Sequence, residues 1–281
     1  LRPDVLIATG GYVTLPVVAA LRAVRLVGRS RAKIALLEPN ARAGLTNRLL
    51  GPLVDEIWYG VRVPDRPLAA NERLVGTPVR AGLREPLERG AARAQLGLER
   101  DRSTVVVFGG SQGARSLNEA VANMALAGLP LGLQILVVTG TSAFAHIDAR
   151  LQNVAHVHVV AYLDDPHGAY AAADLVVSRA GASTLGELAA TATPAVLVPY
   201  PYATGDHQTH NARAFAASGA ALVVPDREFD AARLRALLST VLEPAPLARM
   251  RSAARAYAAS DPCAAIVARV KSWSSANHFD P

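Results

Sequence analysis

Three stretches of this 281-residue chain set small and polar residues where an apolar run gives way to a helical pattern, an arrangement suited to gripping a phosphate. The first reads Val105-Val106-Val107-Phe108-Gly109-Gly110-Ser111-Gln112-Gly113-Ala114-Arg115. Glycines there let the backbone approach a ligand, and the free amides of the helix start favour an anion such as a pyrophosphate. No Gly-Lys-Ser/Thr follows, and the G-G-x-x-G spacing differs from the dinucleotide fingerprint. A tight turn without ligand would use the same residues. The second stretch, Ser178-Arg179-Ala180-Gly181-Ala182-Ser183-Thr184-Leu185-Gly186-Glu187, admits two readings. Thr184 and Glu187 have the spacing of a capping box. Alternatively Ser183, Thr184 and the local amides face a phosphate while Glu187 accepts ribose hydroxyls. In the third, Pro199 to Asn211, Asp206 could cap the helix that follows, and Gln208 offers both donor and acceptor to sugar hydroxyls. His207 and His210 are three apart, but no third ligand accompanies them and no metal is expected.

A fourth group lies near the start: Thr9-Gly10-Gly11-Tyr12-Val13-Thr14, Glu38-Pro39-Asn40 and Ala43-Gly44-Leu45-Thr46-Asn47-Arg48. Each follows a predicted strand at its C-terminal end, where open α/β sheets collect ligands, although turn chemistry accounts for each singly. Asp164-Asp165 reads as the N-cap region of a helix rather than a metal pair. No Ser/His/Asp elbow or zinc spacing is present. His146, His156, His158, His167 and His278 have no assembled partners in sequence.

The elements that must position these residues alternate along the chain. Residues 5–8, 34–37, 105–108, 134–138, 156–160, 175–177 and 195–198 read as buried strands. Residues 16–27, 43–50, 115–127, 166–172, 184–190 and 207–217 read as helices. Continuous apolar strands separated by helices predict a doubly wound α/β architecture with parallel sheets. Pro64, Pro67, Pro78 and Pro86 with Gly60, Gly76 and Gly82 interrupt any long element between residues 58 and 100, and a domain boundary is expected at 73–75. Three helices are expected after Phe229, over 230–241, 245–260 and 262–273.

Composition narrows the function. With 51% hydrophobic and 19% charged residues the chain can bury real cores. The most apolar stretch, 125–138, is broken by Gly128, Pro130, Gly132 and Gln134, so no membrane-spanning helix is expected. A net charge of +6 favours anionic partners. Its arginines are scattered without aromatic interleaving, so nucleic acid is not expected. Cys263 is the only cysteine, which excludes an internal disulfide and fits a reducing compartment. The chain opens on Leu1 and enters a strand at once with no signal-peptide pattern, so it is expected to start inside a domain.

Taken together, six phrases in order resemble the peptidoglycan N-acetylglucosaminyltransferase (MurG) family, of the GT-B class. They are Gly10-Gly11-Tyr12-Val13, Ala43-Gly44-Leu45-Thr46-Asn47-Arg48-Leu49, Pro78-Val79-Arg80, Gly109 to Arg115, Arg179-Ala180-Gly181-Ala182 and His207-Gln208-Thr209-His210-Asn211-Ala212. The resemblance runs from Asp4 to about Asp226. It implies two Rossmann-like domains facing across a cleft, the first of them incomplete. Residues 1–72 would be the remaining acceptor and membrane-side part, 73–260 the domain binding UDP-N-acetylglucosamine (UDP-GlcNAc), and 261–281 a helix and tail packing back on the first. It further implies a hexosyltransferase that moves GlcNAc from UDP-GlcNAc to the MurNAc C4 hydroxyl of lipid I, giving lipid II, without metal or other cofactor. Arg80, Ser111, Gln112 and Gly113 would belong to the donor site, with the backbone of Leu163 at the uracil. Ala182, Ser183, Thr184, Leu185, Gly186 and Glu187 would hold diphosphate and ribose, and Gln208 the GlcNAc hydroxyls. Asn40 would stand at the interdomain cleft, with Gly11, Tyr12 and Thr14 toward the acceptor. The protein would sit peripherally at the cytoplasmic face of the bacterial membrane, held to its anionic inner leaflet. No catalytic base is assigned.

This chain departs from the family at Leu37 and Pro39, where a His and a Gln are usual, at Ala8, where Gly is preferred, and at Thr14, usually Ser. The family's first Gly-rich loop precedes anything present. A related transferase with another lipid acceptor, or a nucleotide-sugar-binding fragment without turnover, would share the donor pattern. A hydride-transferring dinucleotide enzyme would need a different glycine spacing.

Overall fold

The computed structural model describes residues 3–109, 114–257 and 261–277. The chain divides into two compact units, Leu1–Pro78 with Ser260–Pro281, and Val79–Ala259.

The first unit runs β1 (Val5–Ala8), α1 (Thr14–Leu26), β2 (Lys33–Glu38), α2 (Leu45–Leu50), β3 (Glu56–Tyr59) and β4 (Glu72–Leu74). Its strands form one parallel sheet in the order β1-β2-β3-β4. Ile34, Ala35 and Leu36 are all buried, as a parallel strand covered on both faces requires. The chain leaves this unit after Pro78, later than the expected 73–75, because Glu72–Leu74 still pair with β3.

The second unit begins with α3 (Arg89–Gln95) and continues β5 (Ser103–Phe108), α4 (Arg115–Leu126), β6 (Leu133–Val138), α5 (Phe144–Leu151) and β7 (Val157–Val160). It goes on with α6 (His167–Ala172), β8 (Leu175–Ser178), α7 (Ala182–Ala190), β9 (Ala195–Leu197), α8 (His207–Ala216), β10 (Ala221–Val223), α9 (Ala231–Val241) and α10 (Pro244–Tyr257). All six strands are parallel, in the order β10-β9-β8-β5-β6-β7. The order reverses between β5 and β8, which lie side by side with Phe108 in register with Ser178. On α4, Leu117, Val121 and Met124 recur at helical spacing and pack with Val105 and Val107 in the core of this unit.

After α10 comes α11 (Pro262–Asn277), which belongs to the first unit. Ile266, Val270 and Trp273 fall at i, i+4 and i+7 and pack with Ala35, Trp58 and Val75. The Trp58 and Trp273 rings stack with centroids 5.6 Å apart. Beneath them Glu56 accepts hydrogen bonds from Trp58 Nε1 at 2.8 Å, Arg73 Nε at 2.9 Å and Arg269 Nε at 3.0 Å. Burial works to raise the Glu56 carboxyl, but the bonds from Arg269, Trp58 and Arg73 and the Arg269 charge hold it below its ordinary value. On the same sheet, burial of Asp55 is likewise outweighed by bonds from Arg25 and the Ile34 amide and by the charges of Arg25 and Lys33. Both groups bind protons less readily folded than unfolded, so their stabilisation is full above the ordinary carboxylate range. It is lost as pH falls through the depressed native values. An acid titration followed by circular dichroism is expected to show the first unit losing stability below that range, and an acid limb unchanged in a Glu56→Gln variant would contradict this.

Candidate functional site

Both glycine-rich corners lie at the C-terminal edge of the second sheet, after the adjacent strands β5 and β8. At the first, a Cβ on Gly109 would stand 3.1 Å from Ala114 N, Val138 O and Thr139 O, so a side chain there would have to push backbone neighbours aside. Ser111, Gln112 and Gly113 lie outside the described residues. At the second corner Gly181 is the N-cap residue of α7, with no side chain capping the helix start. The first amides of α7 therefore have no side-chain acceptor and keep their affinity for an anion.

The expected capping box does not form. Because α7 starts at Ala182, Thr184 sits inside the first turn and Glu187 beyond it. Ser183 is exposed at the helix start and Thr184 half-buried, whereas Leu185 and Gly186 face the core. Glu187 instead accepts a hydrogen bond from Tyr170 Oη at 2.8 Å. Tyr170 is buried, with its ring 5.0 Å from that of Phe108 at the end of β5. Burial, then the Glu187 charge and the bond to it, pushes the Tyr170 phenol well above its ordinary value. It therefore remains a donor at neutral pH and fixes one carboxylate oxygen.

Gln208, in the first turn of α8, accepts from Ala180 N at 3.1 Å and from Tyr200 N at 2.9 Å through Oε1. Two amide donors fix the carbonyl oxygen on that side and turn the NH2 group, with its two donors, the other way. Asn211, one helical turn on, donates from Nδ2 to Ala180 O at 3.2 Å, so the two side-chain amides of α8 clamp Ala180 of the β8 corner through its N–H and its carbonyl. Asp206 does not cap α8 with its side chain; it stands at the N-cap position in the left-handed region, φ 54°. His207 is engaged through Nδ1 with Thr204 O at 2.7 Å.

Arg80 donates to the carbonyl of Asp164, which ties it to the loop carrying Leu163. Leu163 itself is half-buried, and Asp165 accepts from His167 N at 3.0 Å, although Pro166 rather than the acidic pair takes the N-cap position of α6.

The remaining candidates belong to the first unit. Buried Glu38 accepts from Asn40 N (2.9 Å), Asn40 Nδ2 (3.0 Å), Gly44 N (3.2 Å) and Asn47 Nδ2 (2.7 Å), so one carboxylate shapes the whole turn after β2. Gly10, at φ 87°, brings the turn after β1 against it: a Cβ there would lie 2.7 Å from Asn47 Oδ1. Gly11 follows at φ 83°, Tyr12 is 94% exposed, and Thr14 Oγ1 donates to Gly10 O. Leu37 packs against the Trp58–Trp273 cluster. Pro39 lies against Gly60, where a Cβ would come within 2.9 Å of Pro39 Cα.

Several organising residues were not singled out from sequence. Arg179 donates to Val198 O at 3.1 Å, pairs with Asp226 and donates through Nη2 to Ser116 Oγ at 3.0 Å. Ser116 in turn donates to Asp226 Oδ1 at 2.6 Å, so the network joins the turns after β8 and β9 to the start of α4. Arg179 and Asn211 stand inside quoted phrases, a signal that could have marked them. Tyr170, Ser116 and Asp226 carry none.

Residues 104–264 match the family described as the glycosyltransferase family 28 C-terminal domain. The chain is 38% identical over 272 residues to a UDP-N-acetylglucosamine–N-acetylmuramyl-(pentapeptide) pyrophosphoryl-undecaprenol N-acetylglucosamine transferase from Chlorobium phaeobacteroides, covering 95% of this chain and 72% of that protein. It is 42% identical over 231 residues to the protein of the same name from Chlorobium luteolum, covering 82% of this chain and 61% of the relative. The crystal structure of Acinetobacter baumannii MurG superposes with a TM-score of 0.78 at 30% identity, covering 96% of this chain and 73% of that one. Matches thus span between 61% and 72% of the two curated relatives' length.

Proposed function

Because the chain belongs to the MurG family of N-acetylglucosaminyltransferases, we propose that its second unit binds UDP-GlcNAc and serves GlcNAc transfer to the MurNAc C4 hydroxyl of lipid I, giving lipid II. The observation that carries this reading is the pair of corners at Gly109 and Gly181, side by side where the strand order reverses. Ligands of open α/β sheets bind at that switch point.

In this reading the amides at the start of α7, with Ser183 and Thr184, hold the diphosphate, and Ser111, Gln112 and Gly113 belong to the same donor site. Glu187 grips the ribose diol, Leu163 meets the uracil through its backbone, and Arg80 stands beside that loop. Gln208 turns its amide donors to the GlcNAc hydroxyls. The acceptor hydroxyl attacks C1 from the face opposite UDP, with inversion, and the departing diphosphate is stabilised by the amides already aimed at it. Residues 1–72 contribute Gly11, Tyr12 and Thr14 on the acceptor side, and 73–260 the donor side, with Asn40 assigned to UDP-GlcNAc rather than to the acceptor. A peripheral position on an anionic inner leaflet is supported by the charge of +6 and by α1, which exposes Leu15, Val17, Val24 and Leu26 beside Arg22 and Arg29. Among the described residues no helix is long and apolar enough to cross a membrane.

Calorimetry with UDP and transfer of labelled GlcNAc to lipid I test the two halves separately; absence of UDP binding would end the donor reading. Gln208→Ala is expected to keep UDP affinity within about threefold while discrimination between UDP-GlcNAc and UDP-GalNAc falls about tenfold, the effect of one lost hydrogen-bond set. Equal weakening for bare UDP would take Gln208 away from the sugar.

A further inference from the structure

In the second unit, three arginines share one carboxylate just ahead of β8. Asp174 pairs with Arg93 Nη2 at 2.7 Å, Arg89 Nη1 at 3.0 Å and Arg251 Nη2 at 3.2 Å. A single negative charge leaves two positive ones uncompensated. Arg93 is satisfied otherwise, since it also donates to Ala172 O and Arg100 O. Arg89 and Arg251 are not so enclosed: both line a cavity of about 330 Å³.

Arg84 and Arg255 line the same cavity, and Glu85 is the one acidic residue among its described lining residues. Arg255 has no hydrogen-bond or ion-pair partner among the described residues. Arg89 Nε is buried without an acceptor, a costly state for a charged donor. Burial, then the charge of Arg251, holds the Arg89 guanidinium below its ordinary value despite Asp174, with Arg93 and Arg255 adding to the effect. Leu83, Pro86 and Pro194 supply apolar wall. Ala173 and Pro194 stand just ahead of β8 and β9, so the cavity reaches the N-terminal edge of the sheet, whereas the Gly109 and Gly181 corners occupy the C-terminal edge.

We propose that this cavity is a second anion site, taking a phosphate ester whose phosphate is held by Arg89, Arg251 and Arg255 and whose organic part rests on Leu83, Pro86 and Pro194. Arginine forks match phosphate oxygens in geometry and charge. The volume exceeds that of a bare phosphate and falls at the small end of ordinary ligand pockets. The same chemistry is offered by a soluble phosphomonoester and by a phospholipid headgroup.

Calorimetry with glycerol 3-phosphate, run with UDP saturating, isolates this cavity from the donor corners and reads it whether or not the donor assignment holds. Binding is expected, weakened at least about tenfold in Arg255→Gln, since one charge-assisted contact is removed from an exposed side chain that supports nothing else. Arg89→Gln is expected to weaken it similarly, and unchanged melting of Arg255→Gln separates the effect from misfolding. No binding under saturating UDP, or equal affinity in wild type and Arg255→Gln, overturns the proposal. Sedimentation with phosphatidylglycerol vesicles, against phosphatidylcholine, then names the source. Capture that Arg255→Gln lowers and glycerol 3-phosphate competes for identifies a headgroup; capture indifferent to both, alongside binding of the soluble ester, identifies a free metabolite.

Discussion

Glu187→Ala is expected to lower UDP affinity by one to two orders of magnitude, because hydrogen bonds to a charged group contribute ~1.5–3 kcal/mol and each 1.4 kcal/mol is about tenfold. The same change removes the acceptor of the buried Tyr170 hydroxyl. Leaving that donor unpaired costs about 1–3 kcal/mol in folding, a larger effect than the loss of a helix cap, which Glu187 does not provide here. Glu187→Gln separates the two effects. Its carbonyl oxygen can still accept from Tyr170 while the charge offered to a diol is gone, so it should melt near wild type and still bind UDP weakly. If Glu187→Ala melts lower yet calorimetry returns wild-type UDP affinity, the carboxylate serves only the fold.

Trp273→Ala is expected to cost the first unit ~3–5 kcal/mol, the usual range for truncating a buried aromatic. Trp273 is 6% exposed, stacks on fully buried Trp58, and shares α11 with Arg269, a principal partner of Glu56. Because the two units need not melt as one, the reading should resolve them. Hydrogen exchange should show amides of β2 and β3 losing protection while β5 and β6 keep theirs, with UDP binding retained. Exchange in β2 unchanged by the substitution would mean that α11 contributes little to that core.

How much of this was legible in the sequence depended on length and on separation. Strands β5, β6 and β8 could be read because a parallel strand buried on both faces is a continuous apolar run. Strands β3, β4 and β10 were missed: they have four, three and three residues, β4 with Glu72 and Arg73 has no apolar run, and the apolar run of β3, Ile57-Trp58-Tyr59, is only three residues long. Helix α5 was missed because Ala143 precedes it without a capping side chain. The glycine corners were legible because small residues at a strand end have few other uses. Their supports were not. The Arg179–Asp226 pair spans 47 residues and the Arg80–Asp164 bond 84, and nothing local in either segment records the other. The capping-box spacing misled for a related reason: it fixes which residues could pair, not where the helix begins.

The closure of the first unit by α11 bears on the order of events during synthesis. Some two hundred residues separate Trp58 from Trp273, and at ribosomal speeds of roughly 5–20 residues per second that interval lasts ~10–40 s. Throughout it the tryptophan face of β3 lacks its cover while the entire later unit emerges. The nascent chain thus carries β1 to β4 with one face unfinished until α11 is translated, and a stop codon after α10 would leave Trp58 bare even though those strands had been made.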